Sequence, residues 1–540
     1  MKDISSTGSF VDFTLENFIY VDKTVYIPQL VKLKRVFISR PRRFGKSLTL
    51  DTIATLFETG VEPYFKGTWI YDKWTEPTYP VLRLNFLNFD KNTLEKFNNK
   101  LNSKITEFAE LNQVTTYKEK DEAEDSIDHL LEQLRLEGRQ IVILIDEYDC
   151  QMTANINNET LYKQFQEKIK SFYANIKDKF AIKFLGITGV TRLKDVSIFS
   201  VGSDINDITN ASAYSQMIGF TRDEIKKYYI DYLKLASSYE NNCSVDDVTD
   251  TQLESMLDMM AQNYDGYCFD EDYEKKVFST WSVNKFFQTM IEKKKVQFGE
   301  YWYDNGGLPS ILVNYLKTHE LNIFEYLDKD KFLKVSSDDF KNPTALTTIN
   351  QNVLMCQTGY LTLRSDLNKT STVALGIPNG EIYKALNRLL ANNIFKGNTD
   401  ITDDYGRSLL EVGTVDDIIN LFNSALNSVS YDNYPIVSES SVENMLKLYL
   451  LGAHQKVLSE VHEAKGRADL VVNTDNRRIV FEFKYAKNET EAKSKLLDAV
   501  EQIKTRDYGN IVPKKTELLR IAAVFNADPK VRAFTEYQEV

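Results

Sequence analysis

Apolar and polar positions alternate along the first two hundred residues in a way that sets short strand-like runs between helix-like stretches. Val36 to Ser39 is an apolar run that breaks into the polar loop Arg40-Pro41-Arg42-Arg43-Phe44-Gly45-Lys46-Ser47, and Leu48 to Phe57 has helical character. Upstream, Phe18-Ile19-Tyr20-Val21-Asp22-Lys23-Thr24 leads into a helix predicted over Tyr26 to Leu33, which Asp22 and Thr24 are suited to cap. Val81 to Phe86 alternates as a strand does. Tyr117 to Gly138 is acidic and amphipathic, with Ile127, Leu130, Leu131 and Leu134 on one helical face. Ile141 to Ile145 is unbroken apolar sequence, the mark of a strand buried on both faces of a parallel sheet, and Phe180 to Ile187 reads as another strand. Strands separated by helices predict a doubly wound α/β domain.

From Phe220 to Phe395 the pattern turns mostly helical and aromatic, with Tyr264 to Phe269 and Tyr301-Trp302 read as core. Within it Gln357 to Leu363 and Thr372 to Leu375 read as strands, followed by a helix over Glu381 to Leu390. The last segment opens with a helix, Val442 to Leu451, and closes on an amphipathic helix, Glu489 to Lys504, with Leu496, Leu497, Val500 and Ile503 inward. Between them, Arg467 to Asn473 and Arg478 to Lys484 flank Thr474-Asp475-Asn476-Arg477, in which Asp475-Asn476 suits a two-residue type I′ turn. Pairing Thr474 with Arg477 sets Asp469 opposite Glu482, with Cβ atoms about 4.5 to 5.5 Å apart on one face. Alternation puts Lys484 on that face and Phe481 and Phe483 on the other.

Composition narrows the picture. The 540 residues are too many for one core, while 42% hydrophobic and 27% charged residues are ordinary for globular protein. No run approaches the length of a membrane span and Met1 to Phe10 lacks a signal-peptide pattern, so a cytoplasmic protein without a membrane partner is expected. Cys150, Cys243, Cys268 and Cys356 are widely spaced, which points to reduced core residues and away from a disulfide framework or zinc site. Zinc peptidase and serine hydrolase signatures are absent. The net charge of -12 argues against a nucleic-acid partner, yet from Ser430 onward basic and acidic residues balance at 17 each.

Candidate chemistry sits at the ends of the strands. A loop ending Gly-Lys-Ser between strand and helix is the setting in which backbone N–H groups and a helix N-terminus hold a polyphosphate. Lys46 is expected on the β- and γ-phosphates and Ser47 on Mg²⁺, although Arg40 stands where the first glycine is expected. Asp146 would hold the Mg²⁺ water shell and Glu147 would orient and deprotonate the attacking water. After the third strand, the hydroxyl and cation of Thr188-Gly189-Val190-Thr191-Arg192 are placed to sense the γ-phosphate; a pairing of Arg192 with Asp195 or Asp149 is the alternative. In the last segment, Asp469 and Glu482 form a carboxylate pair suited to Mg²⁺, with Lys484 positioned to orient or deprotonate a water that attacks a phosphodiester.

These motifs, with Ile218-Gly219-Phe220-Thr221, Tyr264-Asp265-Gly266-Tyr267, Gly307-Leu308-Pro309-Ser310 and Thr358-Gly359-Tyr360-Leu361-Thr362, together resemble the AAA-ATPase-like family fused to a C-terminal PD-(D/E)XK nuclease. That family also carries Arg in place of the first loop glycine. The resemblance covers nearly the whole chain and implies a P-loop ATPase domain at 1–215, a helical and winged-helix-like regulatory region at 216–395, a connector at 396–429 and a nuclease-like domain at 430–540. It implies ATP and Mg²⁺ as cofactors, the loop Arg40 to Ser47 with Asp146 and Arg192 as nucleotide contacts, Glu443 as a further metal contact and Gln502 as a later polar position. Nucleotide-controlled cleavage of nucleic acid, DNA favoured over RNA, is the expected activity. An ATPase signalling switch whose nuclease-like domain binds a partner without cutting is the alternative, and a homo-oligomer is left open.

Overall fold

The computed structural model describes residues 1–176, 179–193, 205–302, 310–316, 319, 323–343, 345–395, 405–453, 455–463, 466–508 and 517–540. It gathers the apolar runs of the first half into one parallel sheet. β1 (Arg35–Ser39), β2 (Val81–Asn85), β3 (Ile141–Asp146), β4 (Ile182–Gly189) and β5 (Asn206–Asp207) lie in the order β2-β3-β4-β1-β5. All four pairings are parallel, and every residue of β3 is buried, as its unbroken apolar run requires. β4 therefore separates β1 from β3, and the short edge strand β5 is one the periodicity does not announce. The amphipathic helix forms over Ala123–Leu136 with Ile127, Leu130, Leu131 and Leu134 buried.

The chain divides into two compact units, Met1–His319 with Phe332–Ile382, and Glu320–Lys331 with Tyr383–Val540. In the first, the helices Ile230–Asn241, Asp250–Tyr264 and Thr280–Lys293 pack around Tyr229, Met256, Phe286 and Phe287, and Ile19 and Val21 of the N-terminal arm join that core. Tyr264, Tyr267 and Trp302 are fully buried there. A small antiparallel sheet, order β6-β8-β7, follows from β6 (Leu333–Ser336), β7 (Thr362–Leu363) and β8 (Thr372–Gly376). The first expected strand shrinks to β7 because the chain around Gln357 ends the helix Gln351–Gln357, and the helix expected from Glu381 runs over Gly380–Ile394. Gly307-Leu308-Pro309 lies outside the described residues.

The second unit holds a five-stranded mixed sheet, β13-β12-β11-β10-β9, from β9 (Lys456–Glu463), β10 (Gly466–Asn473), β11 (Arg477–Ala486), β12 (Glu517–Asn526) and β13 (Ala533–Glu539). β11 and β12 are parallel and the other pairs antiparallel. The described part of 396–429 is no bare connector: it forms the helices Tyr405–Val412 and Val415–Asn427. Phe422 packs 5.3 Å from Phe481, and the Asn423 side chain pairs with the backbone of Phe534. In the helix Glu489–Arg506, Val500 and Ile503 face inward, but Leu497 is 70% exposed and Ala492 and Ala499 take the buried positions, small enough for the helix to lie close on the sheet. Among the described residues no helix is long and apolar enough to cross a membrane.

Candidate functional site

The loop after β1 turns sharply because Arg43 and Gly45 both take positive φ, 68° and 102°, and nothing stands within 4 Å of where a Cβ on Gly45 would point. The helix Lys46–Thr59 starts on the next residue. Lys46 is buried, and its Nζ donates to the carbonyls of Arg40 (3.0 Å) and Pro41 (3.2 Å) and lies 3.8 Å from Glu147 Oε1. Ser47 Oγ donates to Asp146 Oδ2 at 2.6 Å, and Thr188 Oγ1 to Asp146 Oδ1 at 2.5 Å. Glu147 sits at φ 52°, a strained conformation for this residue type, and burial raises its carboxyl pKa against the pull of Lys46, with Asp149 and Asp146 adding to the rise. A cavity of about 500 Å³ opens over this cluster, lined by Arg42, Arg43, Gly45, Lys46, Ser47 and Glu147, with the arm residues Tyr20 and Lys23 on another wall.

Not every expected contact faces that cavity. Arg40 turns away: its guanidinium is buried 4.1 Å over the ring of Phe269 and donates to the carbonyls of Ser39 (2.9 Å) and Thr209 (2.5 Å). Burial lowers its pKa to about 9, with Asp207 opposing. The side chain in place of the first glycine thus anchors the loop from behind, and Pro41 packs beside it against Gly359. Arg192 pairs with Asp207, and its backbone exchanges hydrogen bonds with the Gln357 amide, so it lines a smaller cavity shared with Arg40. Asp195 lies outside the described residues. Asp149 is engaged elsewhere, accepting from Thr191 N (2.7 Å) and Oγ1 (2.6 Å). Asp22 accepts from Thr24 N and Oγ1 and from Trp69 N, and it does not cap the helix Ile27–Leu33, whose N-cap is Tyr26 without a side-chain bond.

The second cluster lies on the β10–β11 hairpin. Leu470 pairs with Phe481 and Asn473 with Arg478, the register that puts Asp469 opposite Glu482, and Phe483 N donates to Asp469 Oδ2 at 2.8 Å. The turn differs from expectation: Asp475 and Asn476 do not take the positive φ of a type I′ turn. Thr474 closes it instead, its N–H donating to Arg477 O (2.9 Å) and its Oγ1 accepting from Arg477 N (3.0 Å). Lys484 Nζ donates to Glu482 Oε1 (2.8 Å) and Glu439 Oε1 (3.2 Å). Glu482 is fully buried and its Oε2 has no hydrogen-bond partner. Burial and then Asp469 push its carboxyl up to about 7 against the pull of Lys484, and burial also raises Asp469. Gln502 Nε2 reaches the Tyr508 hydroxyl at 3.3 Å.

Residues 5–199 match the model of a family described as a predicted AAA-ATPase, and residues 437–534 match the PD-(D/E)XK nuclease superfamily. The chain joins an AAA-ATPase-like domain to a PD-(D/E)XK domain. An uncharacterized protein in the vnfD 5′ region of Azotobacter chroococcum mcd 1 is 26% identical over 535 residues, 95% of this chain and 94% of that one. Among solved structures, Cdc6p from Pyrobaculum aerophilum is similar at 11% identity and a TM-score of 0.22, over 68% of this chain and 91% of its own. ORC1 of Aeropyrum pernix, in complex with DNA, is similar at 9% and 0.27, over 69% and 95%.

In the PD-(D/E)XK domain Glu439, the first residue of its helix and one turn before Glu443, accepts from Lys484. Among the described residues no group of three or more His, Cys, Asp or Glu forms a metal cluster. The donor set is the Asp469 and Glu482 pair, and it fits Mg²⁺, which is held by one or two carboxylates: a buried carboxylate oxygen without a partner faces a second carboxylate. In the AAA-ATPase-like domain sequence reasoning missed a set of contacts on the loop. Trp302 Nε1 donates to Arg42 O (3.2 Å), Thr280 Oγ1 donates to Arg43 O (3.0 Å), and Trp281 lies 4.1 Å from the Arg43 guanidinium. Phe44 packs edge-on against both Tyr267 and Phe269, which stack on each other. Gly359, at φ 92°, sits so close to Pro41 that a Cβ on it would come within 2.8 Å. The motifs around Gly266 and Gly359 were the signal that this region does more than fill space.

Proposed function

We propose that the chain binds and hydrolyses ATP in its AAA-ATPase-like domain and that nucleotide state controls Mg²⁺-dependent cleavage of nucleic acid, DNA foremost, by its PD-(D/E)XK domain. The observation that carries the reading is the convergence of Lys46, Ser47 and Glu147 on one cavity, with Asp146 bonded to Ser47 behind them. Lys46 exchanges the Arg40 and Pro41 carbonyls for phosphate oxygens, which costs little because both are neutral acceptors. Ser47 and Asp146 offer oxygen atoms to a cation, and Glu147, its proton affinity raised by burial, is suited to take a proton from water. Mg²⁺, when bound, supplies charge stabilisation at the phosphoryl oxygens. On the hairpin, Asp469 and Glu482 would hold the metal, and Lys484, kept protonated by Glu482 against its own burial, would orient the attacking water.

The grip of residues 267–360 on the loop favours a second reading, in which ATP acts as a slow switch and the PD-(D/E)XK domain only binds a partner. One experiment separates them: the purified chain with Mg²⁺ and labelled single- and double-stranded DNA and RNA, with and without ATP. Cleavage that responds to ATP is expected. Intact nucleic acid in every arm, with ATP still bound, leaves the switch standing and removes the nuclease.

A further inference from the structure

The hairpin carboxylates pose an electrostatic problem for any nucleic-acid substrate. Asp469, Glu482 and Glu439 surround a single ammonium, Lys484, which is already engaged by two of them. A divalent cation neutralises the remainder, yet an anionic phosphodiester still has to dock beside three carboxylates. A second cation on the protein would relieve this, and the end of the helix Glu489–Arg506 supplies one. Arg506 is exposed, and its Nη1 donates to the Tyr508 hydroxyl at 2.9 Å, the same hydroxyl that accepts from Gln502. Tyr508 is fully buried in one cluster with Ala468, Val471, Val480 and Ala522 of the sheet, and its carbonyl accepts from Arg520 Nε at 2.6 Å. The hydrogen bond to Tyr508 uses one of five guanidinium N–H groups, and the planar fork of the others matches phosphate oxygens. Tyr508 belongs to the same buried cluster as Val471 and Val480, which alternation puts on the hairpin face of Asp469 and Glu482, so its bond to Arg506 sets that guanidinium at this face, where the two carboxylates act on it. Arg467 also bears on Asp469, from the hairpin itself.

We propose that Arg506, held by Tyr508 beside the Asp469 and Glu482 pair, is a substrate-binding residue that takes the non-bridging oxygens of a nucleic-acid backbone phosphate. This rests on the nuclease reading above. Arg506 also stands in the last turn of its helix, where a cation favours the helix dipole, so a purely structural role is the competing explanation. The two are separated on the full-length chain with a fluorescein-labelled DNA duplex. Binding is titrated at several salt concentrations with Ca²⁺ in place of Mg²⁺, and cleavage kinetics are measured with Mg²⁺. Arg506→Ala is expected to weaken binding about tenfold and to lower the salt slope by about 1, the signature of one lost phosphate contact. KM should rise about tenfold with kcat within about threefold, and Arg506→Lys should recover part of the loss, since the charge remains while the fork is gone. A wild type that binds and cuts, with Arg506→Ala matching it in KM and salt slope, overturns this assignment and leaves the nuclease standing. A wild type that neither binds nor cuts overturns both.

Discussion

Glu482 is the residue at which stability and chemistry oppose each other. Its carboxyl is raised from an ordinary 4.5 to about 7, so in metal-free protein it stays protonated in the fold at a pH where the unfolded chain has already ionised. Stability from this group is therefore fullest below about 4.5 and is lost as pH rises to about 7, by at most about 3 kcal/mol. Urea unfolding in EDTA across this range should show the decline in wild type and a flatter profile in Glu482→Gln. Mg²⁺ needs the ionised form, so its stabilising effect should instead grow with pH across the same window. Asp469→Ala removes the carboxylate facing Glu482 but also the acceptor of the buried Phe483 N–H, so the two effects should largely offset and leave metal-free stability within about 1 kcal/mol of wild type, while cleavage and the response to Mg²⁺ are abolished. In the other domain, Lys46→Ala should lose ATP binding in calorimetry. Glu147→Gln should keep ATP yet slow its turnover by about 10²-fold or more, because the amide retains the shape without accepting a proton.

Elements differ in how openly the sequence declares them, and the reason is the range of the interactions that set them. The β10–β11 register follows from alternation of side chains and a two-residue loop, both local, so it could be read even though the turn type could not: Thr474 closes the turn with its own hydroxyl. β3 announces itself because burial on both faces demands unbroken apolar sequence. That Glu439 reaches Lys484 depends on how a helix lies against a hairpin some 40 residues on, and helical periodicity carries no such information. The contacts on the phosphate loop were hidden for the same reason, since Thr280, Trp302 and Gly359 are more than 200 residues away in sequence. They are testable as an element. Trp302→Phe keeps the ring but removes the donor to Arg42 O, which should cost about 1 kcal/mol in chemical unfolding and weaken ATP binding. Gly359→Ala should cost more, through both its positive φ and the approach to Pro41.

At the scale of the molecule, the stretch that matches the AAA-ATPase family ends at 199, but the side chains that brace its phosphate loop come from 267–360. A chain cut after residue 215 should accordingly bind ATP far more weakly than the full-length protein, even where circular dichroism shows its parallel sheet intact. The loop has exchanged the portability of a glycine-rich turn, which carries its geometry within itself, for dependence on a distant neighbourhood. Arg40 without Phe269, or Pro41 without the bare backbone at Gly359, would be a liability. Grafting residues 1–215 of this chain onto the remainder of a 26% identical relative should then give an ATPase that fails until the residues facing the loop are carried across as well. Inheritance has to treat the loop and its distant brace as one unit, changed together or not at all.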